Sequence, residues 1–210
     1  MNPLDLKTGD LVLFDSDNSG FLKLFDWLIK SATKSDYNHI GIIFKDPTYI
    51  KDDLKGLFLY ESSWEGTADP ADGKIKLVVQ ITPLEEVIKN NKGKIFVRKL
   101  ISESEEKYNQ IFSNNNMLDV YHASNAKPYD INPKDWVEAF FRIDFDPQKT
   151  GRFFCSALVG YVYTKLGILE PNTDWSILRP SDFAIEDENQ HINYINGFTL
   201  DDKQIEMMAN

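Results

Sequence analysis

Up to Leu100 the apolar positions fall in short runs, and beyond it they recur at helical spacing. Leu11-Val12-Leu13-Phe14, His39-Ile40-Gly41-Ile42-Ile43-Phe44, Leu57-Phe58-Leu59-Tyr60-Glu61-Ser62, Ile75 to Ile81 and Lys94 to Leu100 each predict a strand. Thr8-Gly9-Asp10, Asp46-Pro47 and Asn90-Asn91-Lys92-Gly93 supply turns between them. Two segments in this half read as helical. Phe21 to Ala32 places Phe21, Leu24, Phe25, Leu28 and Ile29 on one face. Thr82-Pro83-Leu84-Glu85 reads as a helix start, with Thr82 as cap and Glu85 at the capping-box position.

In the second half, Ser102 to Phe112 is polar and helix-prone, and Asn114-Asn115-Asn116 interrupts it. Pro133 to Phe141 reads as a helix with Asn132 as cap and Pro133 at its first position. Phe154 to Leu166 is the strongest helical pattern in the chain, and Gly167 stops it. The remaining stretch is short and mixed. Strands first and helices later predict an α+β domain with an antiparallel sheet. There is no internal repeat and no low-complexity linker, so residues 1–210 read as a single domain, with a candidate insertion around 102–145.

Composition narrows the classes of function. The chain has 210 residues, 42% of them hydrophobic and 13% aromatic, enough apolar material for a real core. Its 33 acidic and 23 basic residues give a formal net charge of −10, and no Lys/Arg stripe breaks the pattern. Such a surface repels phosphate backbones, so no nucleic-acid partner is expected. The single cysteine, Cys155, leaves no pair for an internal disulfide and no Cys-rich zinc site. Met1 to Lys7 lacks a basic region followed by an apolar core, and the apolar runs are too short or too mixed to span a bilayer. The expectation is a soluble protein of the cytoplasm or another reducing compartment.

Cys155 lies in Phe153-Phe154-Cys155-Ser156-Ala157-Leu158-Val159, and the loop Pro147 to Gly151 before it places the thiol in the first turn of the helix. There the unpaired backbone N–H groups and the helix dipole stabilise a thiolate, and the same N–H groups can hold an oxyanion. Leu158, Val159, Val162 and Leu166 continue an apolar face that anchors the helix. Free cysteine is also among the most buried residue types, so a core cysteine is the competing reading.

Of three histidines, His39 opens an apolar strand, where its ring can reach into a cleft while the strand stays packed. Gly41 beside it leaves room for another backbone or a substrate. His122 and His191 lie in polar stretches and read as surface residues. A catalytic histidine needs a partner that fixes its tautomer. Glu61 ends an apolar run 22 residues later, and pairing of the two strands as an antiparallel hairpin would bring it close. Its competing reading is a solvated strand end.

Taken in order, Thr8-Gly9-Asp10-Leu11-Val12-Leu13-Phe14, Asn38-His39-Ile40-Gly41-Ile42, Tyr60-Glu61-Ser62-Ser63 and Phe154-Cys155-Ser156-Ala157-Leu158-Val159 resemble the circularly permuted branch of the NlpC-type papain-like superfamily. Arg179-Pro180-Ser181-Asp182-Phe183 resembles the family's tail, so the likeness runs roughly from Leu6 to Phe183. Each motif is short, and their order carries the specificity. The resemblance implies a permuted papain-like fold, an antiparallel sheet or half-barrel packed against a C-terminal helix that carries the cysteine. It puts the nucleophile on Cys155, the base on His39 and the orienting residue on Glu61, with Tyr37 or Tyr60 as candidates near the oxyanion.

The expected activity is therefore that of a cysteine-dependent hydrolase of peptidase or amidase type, working through an acyl-enzyme with no metal or organic cofactor. Its substrate would be a peptide, an amide or an acyl lipid. A lipid acyltransferase or thioesterase on the same fold is one rival, because Phe21 to Ile29 with Trp27 could touch an acyl chain or a membrane. A non-catalytic binding or structural protein is the other.

Overall fold

In a computed structural model, residues 5–15, 37–63, 68–74, 78–128, 153–185 and 192–207 are described. The sequence-predicted helices at 21–32 and 133–141, the loop 147–151 and His191 lie outside them. Six strands, β1 (Leu11–Asp15), β2 (His39–Lys45), β3 (Leu57–Ser63), β4 (Val78–Pro83), β5 (Lys94–Ser102) and β6 (Phe198–Met207), form one antiparallel sheet in the order β4-β3-β2-β1-β5-β6. The described residues also hold four α-helices, α1 (Leu84–Asn90), α2 (Glu105–Ile111), α3 (Asn114–Ser124) and α4 (Cys155–Lys165). The expected mixed fold with an antiparallel sheet is thus observed.

Alternating side chains divide the core into two layers. On one face Leu11, Leu13, Ile40, Ile42, Phe44, Phe58 and Tyr60 meet α3 and the apolar side of α4. On the other, Val12, Phe14, Ile43 and Leu59 meet Leu6 and the buried side of α1, Leu84 and Val87. Burial on both faces explains why β1 and β2 read as nearly continuous apolar runs.

The turn at Thr8-Gly9-Asp10 is a fixed point of this packing. Gly9 takes a φ of 95°, a conformation that L side chains rarely adopt. The Tyr163 hydroxyl of α4 donates to the Gly9 carbonyl at 2.6 Å, and Tyr108 of α2 donates to the Thr8 carbonyl at 2.7 Å. Asp10 is fully buried and accepts from the backbone N–H groups of Lys7 and Leu100. Burial of its carboxylate raises its pKa, against the lowering effect of those two bonds.

Several local expectations change. Thr82 is not a helix cap: it stays in the β4 ladder opposite Leu59, and α1 begins after Pro83 with no side-chain cap. Sheet pairing outweighs the capping pattern there. Ser104 caps α2, accepting from the Lys107 N–H at 3.2 Å. Asn114-Asn115-Asn116 form the first turn of α3 rather than a break, and the chain turns at Phe112–Ser113. The described part of the candidate insertion joins the core through Met117, Val120 and Tyr121. The mixed C-terminal stretch is β6, which pairs along β5 with a register shift between Arg98 and Leu100.

Candidate functional site

His39 is the first residue of β2, so its ring stands at the end of the strand beside Phe14 of β1, with ring centroids 5.3 Å apart. Glu61 lies near the end of antiparallel β3. It alternates with Tyr60, which faces α4, and so leaves from the opposite side of the pleat. The β2–β3 register, continued from Ile42↔Tyr60, sets Glu61 across from Gly41. On the β2 side the carboxylate meets no opposing side chain and reaches diagonally to the imidazole, while on the β4 side its register partner is the buried Gln80. His39 Nε2 and Glu61 Oε2 are 2.7 Å apart. The glycine does not make room for a substrate, however. A Cβ on Gly41 would stand 2.8 Å from Leu59 Cγ, so the Leu59 side chain fills that space.

Cys155 is the first residue of α4, with Phe154 as an extended N-cap and no side chain capping the helix. No capping side chain therefore competes for the N–H groups of its first turn. The thiol lies near enough to the His39 ring to raise its pKa by hydrogen bonding and charge attraction. All three residues named from the sequence thus meet around one imidazole.

The electrostatics follow from that arrangement. Burial alone would lower the proton affinity of the imidazole. Hydrogen bonding and charge attraction from Cys155, then from Glu61, outweigh it and hold the His39 pKa well above 6.5. Glu61 is fully buried, its Oε2 on His39 and its Oε1 without a hydrogen-bond partner. Cys155 is 3% exposed and the His39 side chain 20%, so the ring side is the more open approach to the sulfur.

Two buried serines flank the thiol. Ser62 Oγ donates to the Phe153 carbonyl at 2.6 Å, and Ser156 Oγ donates to the Leu178 carbonyl at 2.7 Å. Neither stood out in the sequence, because the acceptors lie 91 and 22 residues away.

The other candidates go elsewhere. Tyr60 is fully buried, stacks on Phe44 and commits its hydroxyl to Ser124 Oγ at 2.8 Å. It takes no part in an oxyanion site. Tyr37 packs edge-on against Phe96 and accepts from Gln204 Nε2 of β6. His122 is exposed on α3. Among the described residues no group of three His, Cys, Asp or Glu side chains could hold a metal ion, and no helix is long and apolar enough to cross a membrane. No protein-family model matches the chain, and no curated protein matches it either.

Proposed function

We propose that the protein is a cysteine-dependent hydrolase of peptidase or amidase type, with the permuted arrangement of the NlpC-type papain-like enzymes. The observation that carries this reading is the single imidazole of His39, hydrogen-bonded to Glu61 at 2.7 Å and close enough to the Cys155 thiol for that group to raise its pKa. His39 takes the thiol proton, and the Cys155 thiolate attacks a carbonyl carbon. The C=O bond opens to an oxyanion, which the N–H of Cys155 at the uncapped start of α4 is placed to receive. When the intermediate collapses, the imidazolium returns its proton to the leaving amine, and a thioester remains on Cys155. Water, deprotonated by His39, then releases the acid and restores the thiol. Glu61 keeps the ring in one orientation and stabilises its charged form.

The burial of Cys155 favours a second reading, a scaffold in which the thiol is only a small core side chain. Acyl-transfer labelling separates the two. With an acyl probe carrying a good leaving group, the hydrolase reading expects a thioester on Cys155, identified by mass spectrometry and absent in His39→Ala. An unlabelled wild-type protein under conditions where it is folded would favour the scaffold.

A further inference from the structure

Glu61 and Ser62 are consecutive residues of β3, and they hold opposite halves of the dyad. Glu61 faces one side of the sheet and binds the imidazole at 2.7 Å. Ser62 faces the other and donates to the carbonyl of Phe153, two residues before Cys155, at 2.6 Å. We infer that Ser62 is a positioning residue for Cys155, fixing the chain that leads into the nucleophile relative to the strand that orients the base.

Phe153 is well suited to transmit such a constraint. Its N–H donates to the Pro128 carbonyl at 3.1 Å, and its ring packs against Trp175 and Tyr161, with centroids 5.6 and 5.1 Å away. With the N–H and the ring held, the Ser62 bond fixes the remaining freedom, the direction of the Phe153 carbonyl. Only the extended residue Phe154 separates that peptide from the thiol. Both Ser62 and Phe153 are fully buried, so water does not readily replace the lost hydroxyl. A shift of the Phe153 peptide would carry Cys155 away from His39, whose place is set independently by β2 and Glu61.

This role rests on His39 activating Cys155, so the test carries that reading as a separate arm. Cys155 is the sole cysteine, and its alkylation by iodoacetamide can be followed by mass spectrometry across pH in the full-length wild type, His39→Ala, Ser62→Ala and Ser124→Ala. Ser124 is the matched control: it is fully buried, and its hydroxyl bonds the Val120 carbonyl at 2.7 Å and the Tyr60 hydroxyl at 2.8 Å rather than the segment leading into Cys155. Ser62→Ala should slow alkylation near neutral pH by roughly tenfold or more, the scale of a small misplacement. Ser62→Thr, which keeps the hydroxyl, should recover part of that rate. Ser124→Ala should lower the melting temperature but leave the rate unchanged. If Ser62→Ala behaves like Ser124→Ala while His39→Ala is slow, Ser62 is merely structural and the inference falls alone. If His39→Ala reacts like wild type, the dyad reading falls and takes this role with it. Should Ser62→Ala fail to fold, Ser62→Thr and Ser62→Val, compared in the cold with a stabilising osmolyte, keep the question open to decision. They share a shape and differ in the hydroxyl, so Thr must react faster than Val, and equal rates would overturn the assignment.

Discussion

His39 and Glu61 stand 22 residues apart in the chain and 2.7 Å apart in space, on neighbouring antiparallel strands. Glu61 is fully buried, so the imidazole is more than a catalytic base: it is the partner that makes a buried carboxylate tolerable.

Removing that partner should therefore cost stability as well as reactivity. His39→Ala is expected to destabilise the fold by about 3 kcal/mol, because it strands the Glu61 carboxylate in the interior. Adding Glu61→Gln to His39→Ala should recover part of the loss, since the amide removes the stranded charge. Urea melts of the two single variants and the double variant check this. Simple additivity of the losses would show that the two side chains do not depend on each other.

The proton on His39 has a definite sign of response. Cys155 and Glu61 both raise its pKa, against the lowering effect of burial. The ring should therefore remain protonated at pH 6.5, the value at which a free imidazole is half titrated, and lose its proton well above it. Cys155→Ala and Glu61→Gln should each move the titration downward. Ring chemical shifts followed by NMR through the titration report this directly. A wild-type ring that titrates below 6.5 would mean that burial prevails.

Turnover should fall in a graded series. Cys155→Ser and His39→Ala remove the nucleophile and the base, each costing roughly 10⁶-fold in kcat, whereas Glu61→Gln removes only the orienting charge and should cost roughly 10⁴-fold. Cys155→Ser should leave the melting temperature nearly unchanged, because the change in volume is small. Steady-state kinetics on any substrate found for the wild type, beside thermal melts, give the ordering.

α4 is held against the turn that follows it by a glycine. A Cβ on Gly160 would stand 2.7 Å from both Leu178 Cδ1 and Trp175 Cβ. A glycine inside a helix costs about 1 kcal/mol relative to alanine, so close approach is the reason it is used here. Gly160→Ala should nevertheless destabilise the protein, by about 1–3 kcal/mol through overpacking. A more stable Gly160→Ala would indicate that Trp175 and Leu178 can move away without loss.

What was legible in the sequence was whatever depends on local pattern. The apolar runs of β1, β2 and β3 and the long helix α4 follow directly from it. So do His39 at a strand start and Cys155 at a helix start. Less was visible where a distant partner decides. β6 contains Asp201, Asp202, Lys203 and Glu206 and lies at the edge of the sheet, so the hydrogen bonds it makes with β5 have no matching apolar alternation. Charges on an edge strand also hinder unwanted pairing, which favours this composition. Thr82 carried a good local capping pattern, and the β3–β4 ladder overrode it. Ser62 and Ser156 look ordinary in sequence, since what distinguishes them is a buried carbonyl far along the chain.

The most direct measurement is the rate of Cys155 alkylation as a function of pH in the wild type and in His39→Ala, each below its melting temperature. An imidazole that takes the thiol proton should let the wild type react faster near neutral pH than the thiol of a small peptide. His39→Ala should slow the reaction near neutrality by at least about tenfold. Superimposable curves for the two proteins, or a wild-type thiol that reacts only on unfolding, would contradict an activated Cys155.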